Sequence, residues 1–87
     1  MLQELLNQAV VVDMRSPFVC LGTLLRIDDQ WLELGKADLH DLRDSDTTRE
    51  NYVARARMTE VLANRKRVLI LRSEIVAVSR LKDVLAS

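Results

Sequence analysis

The sequence predicts a small, mostly β fold with helices: a closed barrel of five short strands with an N-terminal helix and a helical insertion after the third strand. Three observations predict it. The chain has 87 residues, the length of one domain. Short apolar runs rich in β-branched residues alternate with turn residues. A polar segment with helical spacing interrupts these runs. Five short strands with tight turns favour a barrel because closure removes most exposed edges.

The chain begins with a predicted helix over residues 1–8. Leu2, Leu5 and Leu6 recur at offsets of three and four, which places them on one helical face. A helix of about two turns is stable only against another surface. We therefore expect this face to pack on the barrel.

Three strands are predicted next. The first, at residues 9–14, is β-branched, and Pro17 separates it from the second, at residues 19–27. Gly22 within the second strand indicates a bend or a close backbone approach. The third strand begins at residue 31 and alternates unevenly to residue 42, with a break near Gly35.

The segment between the third and fourth predicted strands differs in character from the rest of the chain. It contains a polar stretch, 44–50, whose Thr47-Thr48-Arg49-Glu50 fits the capping-box pattern. We expect a helix from Thr48 to Ala63. Extended chain is the competing interpretation, because residues 54–58 also alternate. The apolar positions at helical spacing are Ala54, Met58, Val61 and Leu62.

The last two strands are predicted at residues 68–71 and 75–81. Three polar residues, 72–74, separate the two apolar runs. This spacing predicts a tight antiparallel hairpin in which the two strands pair with each other.

Composition excludes several classes of protein. Basic and acidic residues number 13 each, so the chain is not a highly basic nucleic-acid tail, and one Trp, one Tyr and one Phe are too few for an aromatic platform. His40 is the only histidine, so we expect no metal site and no cofactor. Cys20 lies in an apolar run and is interpreted as buried. No nucleophile–base set is recognisable, so no enzyme is predicted. Neither a membrane span nor a signal peptide is recognisable, so we expect a cytoplasmic protein.

The strands carry a resemblance to the Sm and Sm-like (LSm) family, which includes the bacterial host-factor riboregulator. Val10-Val11-Val12, Gly22-Thr23-Leu24, Asp28 and Leu34 resemble the first Sm motif. The segment Val68–Val78 resembles the second motif, an apolar strand, Arg-Gly and another apolar strand, with Ser73 in place of the Gly. The resemblance implies a bent five-stranded antiparallel barrel capped by the N-terminal helix, with residues 36–67 as an enlarged loop between strands 3 and 4. It implies a hexameric or heptameric ring in which the fourth strand of one subunit pairs with the fifth of the next, through residues 68–71 and 75–81.

The resemblance also implies that single-stranded RNA binds at the inner rim of the ring, whereas DNA is not expected. Asp28 matches the family's acidic position, and Arg72 matches the Arg of the second motif. Gln30 falls where a base-stacking residue often sits, and the family's Asn falls on Leu32, or on Trp31 after a one-residue deletion. The resemblance thus gives these candidate RNA-binding residues: Asp28, Gln30, Trp31, Arg72 and Ser73.

Three of these candidates have structural interpretations beside the functional one. Arg72 is suited to stacking on a base or gripping a phosphate, or to pairing with Glu74 or Asp28. Trp31 is a possible base stacker, but we expect it to pack between barrel and helix, as a lone Trp usually does. Asp28 and Asp29 are interpreted as a solvated turn rather than as a cation site or paired acids.

Charge is distributed unevenly along the chain. Residues 1–42 contain three basic and seven acidic residues, a net charge of −4, and residues 43–82 contain ten basic and five acidic, a net charge of +5. The predicted basic patch consists of Arg55, Arg57, Arg65, Lys66 and Arg67. In a ring this patch would repeat around one rim and attract phosphates, or it would pair with the acidic half of a neighbouring subunit.

The favoured function is therefore a non-catalytic homo-oligomer that binds single-stranded RNA. The alternative is a structural or protein-interaction ring that has lost RNA binding and uses its insertion for docking. An enzyme is the weakest of the three hypotheses.

Overall fold

The computed structural model describes residues 1–44 and 47–85. Ser45 and Asp46, within the predicted polar stretch, lie outside the described residues. Five strands form one antiparallel sheet in the spatial order β4-β3-β2-β1-β5. The strands are β1 (Ala9–Met14), β2 (Phe18–Ile27), β3 (Trp31–Asp41), β4 (Arg65–Leu71) and β5 (Ile75–Arg80). The predicted order of elements is confirmed.

The N-terminal element is a single 3₁₀ turn, Leu2–Leu5, rather than a helix of about two turns. Its end is fixed by the sheet: Asn7 adopts the left-handed region (φ 65°), and its N–H donates to the carbonyl of Leu24 at 2.7 Å. The chain therefore leaves the helical path after one turn. The predicted apolar face does pack on the core, through Leu2, Leu5 and Leu6.

The first core lies on the inner face of the sheet, which the N-terminal turn covers. Alternation along β1 places Val10 and Val12 on this face and Val11 on the opposite, outer face. Cys20 is fully buried in the inner core, as predicted, and burial raises the pKa of its thiol to about 12. The buried members of this core are Val10, Val12, Cys20, Leu24, Leu32, Leu34, Ala37 and Ile70.

Strand β3 is irregular where the sequence predicts a break. The β2–β3 register moves from Thr23↔Gly35 to Leu21↔Asp38, so β3 contains one extra residue there. Lys36 adopts a left-handed φ of 46° at this bulge. The backbones approach closely, because a Cβ on Gly22 would lie 3.0 Å from the carbonyl oxygen of Gly35.

The last two strands do not form the predicted hairpin. β4 pairs with β3, and β5 pairs with β1, so the two strands lie at opposite edges of the sheet. A 3₁₀ turn, Arg72–Glu74, joins them, and the carbonyl of Glu74 accepts the N–H of Arg15 at the end of β1. Because three residues connect the two edges, the sheet must curl into a barrel-like shape.

The insertion contains helix α1 (Arg49–Met58), which is shorter than predicted and begins one residue after the observed N-cap, Thr48. The Thr48 hydroxyl accepts the N–H of Asn51 at 3.2 Å, which is the N-cap interaction. The helix ends at Met58, with Thr59 as its C-cap, so Val61 and Leu62 do not belong to it. The predicted helical face is also wrong, since Met58 and Leu62 are each 76% exposed and Val53 is the buried position.

Helix α1 packs on the outer face of the sheet and closes a second core there. Val53 is 5% exposed and lies over the outward side chains of β1 and β2. The chain that follows β5 completes the cover through Leu81. The buried members of the second core are Val11, Val19, Leu21, Val53 and Leu81.

Tyr52 attaches α1 to the second half of β3. Its ring stacks on His40, with centroids 4.2 Å apart, and its hydroxyl hydrogen-bonds to the carboxylate of Asp38. Burial and this bond raise the pKa of the phenol above its usual value. The first half of β3, with β4, is left open on the outer face.

Candidate nucleic-acid interface

The turn between β2 and β3 is organised by Asp28. One oxygen of its carboxylate accepts the backbone N–H groups of Gln30 at 2.9 Å and Trp31 at 2.8 Å. These two bonds favour the charged form and lower the pKa of the Asp28 carboxyl. The Asp28 N–H in turn donates to the carbonyl of Trp31 at 3.0 Å, which closes the turn. Asp29 is exposed, consistent with the solvated turn predicted.

Arg72 joins this turn to the one between β4 and β5. Its backbone N–H donates to the carbonyl of Gln30 at 2.7 Å, and its guanidinium donates to the carbonyl of Asp28 at 2.6 Å. The structural partner is therefore the backbone of Asp28 rather than its carboxylate or Glu74. Only one guanidinium nitrogen makes this bond, and the residue is exposed.

Trp31 does not pack between barrel and helix as expected. It is 38% exposed and begins β3, where Leu32 is fully buried in the inner core. Strand alternation therefore places Trp31 on the outer face, away from the N-terminal turn. Its cross-strand partner, Leu71, is also 38% exposed.

The five candidate rim residues thus lie at one end of the sheet: four are on two turns that are hydrogen-bonded together, and Trp31 is the first residue of β3 beside them. Gln30 and Ser73 are exposed there. The residues brought together are Asp28, Gln30, Trp31, Arg72 and Ser73. We call these two turns and their side chains the rim.

The predicted basic patch is divided between two elements. Arg55 and Arg57 lie on α1, and the Arg57 guanidinium donates to the carbonyl of Lys82 at 3.1 Å. Residues 65–67 lie on β4, where alternation directs neighbouring side chains to opposite faces. All five residues are exposed, but Arg67 contacts Glu33 at 3.3 Å.

Glu33 is a feature that the sequence interpretation missed. It is only 8% exposed, and its two carboxylate oxygens accept from Arg26 at 2.7 Å and Arg67 at 3.3 Å. The carboxylate therefore links β2 and β4 across β3 on the open outer face. In the sequence, the opposite charges of Arg26 and Glu33, seven residues apart on either side of a turn, could have indicated this cross-strand ion pair.

Comparison with known proteins gives one informative result. Neither a family model nor a curated protein matches the sequence. Among solved structures, the Sm protein of Pyrococcus abyssii, solved in complex with a uridine heptamer, superposes with a TM-score of 0.61. The match covers 90% of this chain and 89% of that chain, at 19% identity. The chain has the Sm fold.

Within this Sm fold the insertion between β3 and β4 is helical and packed, as α1 shows. His40 and Asp38 serve that packing through Tyr52. Within residues 1–44 and 47–85, no group of three or more His, Cys, Asp or Glu residues could hold a metal ion. In the same ranges, helices fall short of the length and apolar character needed to cross a bilayer.

Proposed function

We propose that this chain is a non-catalytic Sm-like protein that binds single-stranded RNA at the rim of a homo-oligomeric ring. One observation carries the proposal: the two hydrogen-bonded turns present an indole, an amide, a hydroxyl and a guanidinium together at one end of the sheet. Aromatic and guanidinium planes are the groups on which unpaired bases stack. The solved Sm protein with a bound uridine heptamer supports the same class of ligand.

Arg72 is the residue we assign to contact RNA most directly. The bond from its guanidinium to the Asp28 carbonyl fixes the side chain, so little conformational entropy is lost on binding. The remaining donors of the planar fork are free to bind a phosphate or to stack on a base.

Ring formation is supported by the two edges of the sheet. The free edge of β4 carries Leu69, 55% exposed, and β5 carries Val76, 67% exposed. Exposed apolar edge strands are aggregation-prone, and pairing between subunits in a closed ring would satisfy them. We expect six or seven subunits, each with β4 paired to the β5 of its neighbour. In this ring the positive residues at 65–67 would recur beside each interface.

The RNA-binding proposal is tested by titrating labelled single-stranded RNA with the protein at low salt. We expect binding that weakens steeply with added salt, because neutralising phosphates releases counterions. Arg72→Ala should weaken binding about tenfold and reduce the salt slope by about one. Arg43→Ala is the matched control, since Arg43 is exposed and pairs with Asp41 at the other end of β3. If uridine-rich, adenine-rich and mixed oligomers all fail to bind, the proposal is wrong.

The ring is tested separately by light scattering. The chain has a mass of 10.0 kDa, and we expect a species several times heavier. Val76→Lys should dissociate it, because a charge would enter the strand interface. A monomer at high concentration would contradict the ring.

The alternative function, a protein-interaction ring, is favoured by the two apolar side chains that the end of the insertion leaves exposed. Met58 and Leu62 are each 76% exposed. A protein partner bound there should remain bound in a pull-down after nuclease treatment, whereas a contact made through RNA should be lost.

A further inference from the structure

A cleft on the open outer face adjoins the rim. It lies between the end of β2, the start of β3 and the middle of β4, with a volume of about 160 Å³. It is lined by Arg26, Ile27, Asp28, Trp31, Glu33 and Leu69. We call it the outer cleft.

The apolar side of the outer cleft fits a flat ring. Trp31 is 38% exposed, so an aromatic face is available to a ligand, whereas Leu69 lies on the edge strand that the proposed ring pairs with the next subunit. Every nucleobase has a π-face that can stack on an indole. Stacking alone therefore explains base binding here but gives no preference among bases.

The polar side of the outer cleft consists of Arg26, Glu33 and Asp28, of which Asp28 offers an open carboxylate oxygen. The second oxygen of Asp28 accepts no hydrogen bond from the described residues, while the first is held by the turn. The backbone hydrogen bonds from Gln30 and Trp31 lower the pKa of the Asp28 carboxyl. The two Glu33 oxygens are already engaged, one by Arg26 and the other by Arg67, and Arg26, whose side chain is 79% exposed, bonds through one nitrogen.

We propose, on the basis of the RNA-binding function proposed above, that the outer cleft accepts a base with an exocyclic amino group in preference to uracil. The base stacks on Trp31 and donates its amino hydrogen to the Asp28 carboxylate. Adenine, cytosine and guanine carry such a donor, and carboxylates accept from it. Uracil presents one N–H flanked by two carbonyl oxygens, and these would face the negative charge of Asp28.

Trp31 supplies the probe for the test, because it is the only tryptophan in the chain. Oligoadenylate, oligocytidylate and oligouridylate of equal length are titrated at one salt concentration while Trp fluorescence and binding are both followed. We expect adenylate and cytidylate to quench the fluorescence and to bind about tenfold more tightly than uridylate.

Asp28→Asn is the decisive variant. Its amide oxygen can still accept the two backbone N–H groups of the turn, but the charge is removed. The preference over uridylate should fall to within about threefold while binding persists. Glu60→Gln is the matched control, because Glu60 is an exposed carboxylate beyond the end of α1 and outside this cleft. It should leave the preference unchanged.

The outcomes separate this inference from the function on which it rests. Equal or tighter binding of uridylate, a preference unchanged in Asp28→Asn, or binding without a change in Trp fluorescence would overturn the inference and leave RNA binding standing. Failure of all three oligomers to bind would instead overturn the proposed function.

Discussion

Helix α1 should be part of the cooperative fold rather than an appended segment, and Val53→Ala tests this. Val53 is the buried residue of the helix and lies on Val11, Val19 and Leu21 of the sheet. The substitution replaces a weaker helix former with the strongest one, so a loss of stability would reflect packing and not helix propensity.

The expected magnitude follows from what is removed. Two methyl groups leave a site that is 5% exposed. At about 0.8 kcal/mol for each buried carbon, the transfer loss is about 1.6 kcal/mol, and the residual cavity raises it to about 2 kcal/mol. In a domain of this size that loss lowers Tm by about 8–16 °C.

Urea unfolding followed by circular dichroism measures the effect. Protein concentration is held constant, since assembly would otherwise change the apparent stability. Arg55→Ala, an exposed substitution on the same helix, should change the free energy of unfolding by about 0.5 kcal/mol or less. A Val53→Ala variant with the wild-type midpoint, or a helix lost in a separate early transition, would refute the packing described for α1.

Three further predictions concern single positions. Asp28→Ala should destabilise the protein by about 1 kcal/mol in urea unfolding, because two backbone N–H groups lose their acceptor, whereas Asp28→Asn should be near neutral. Cys20 should resist thiol reagents at pH 8 until the chain unfolds. The pKa of the thiol, about 12 in the folded protein, exceeds its value in the unfolded chain, about 8.5. The free energy of unfolding should therefore be constant, as far as Cys20 is concerned, below about pH 8.5 and should fall as pH rises above that. Reaction of the folded protein at the rate of the unfolded chain would disprove the burial of Cys20. Gly22→Ala should cost about 1–3 kcal/mol, because the new Cβ meets a backbone oxygen, and Gly35→Ala should cost less, because it meets the movable end of Leu25; equal losses would contradict the packing.

Most of the strand positions could be predicted from the sequence because they depend on local patterns. Pro17 and the Asp28 turn separate apolar runs, and the observed strand bounds follow these breaks. The close approach at Gly22 was also predictable, since a strand glycine usually indicates one.

Pairing and helix ends were less predictable because they depend on distant residues. The 72–74 segment has hairpin spacing, yet each flanking strand finds its partner elsewhere in the chain. Similarly, Val61 and Leu62 continue the helical spacing, but α1 ends at Met58, and Val61 packs against the second core from outside the helix.

In the candidate site, too, some features could be predicted from sequence motifs, whereas others depend on distant residues. The five rim residues were predicted from two motifs far apart in sequence, and the structure places them together. The side of the sheet on which Trp31 lies was mispredicted. Adjacent strand residues point to opposite faces, and Leu32 is the one of the two that is buried in the core. Glu33 was missed because its burial requires both Arg26 and Arg67.

The two open edges of the sheet are unlike one another, since one is β4 and the other is β5. Subunits joined through them would follow one another head to tail, and each would supply one edge of either kind. A subunit with one altered edge strand would still pair through its intact edge strand, but it would prevent the next subunit from binding. A minority of such copies, expressed together with the normal chain, should therefore reduce the fraction of closed rings by more than their share of the subunits.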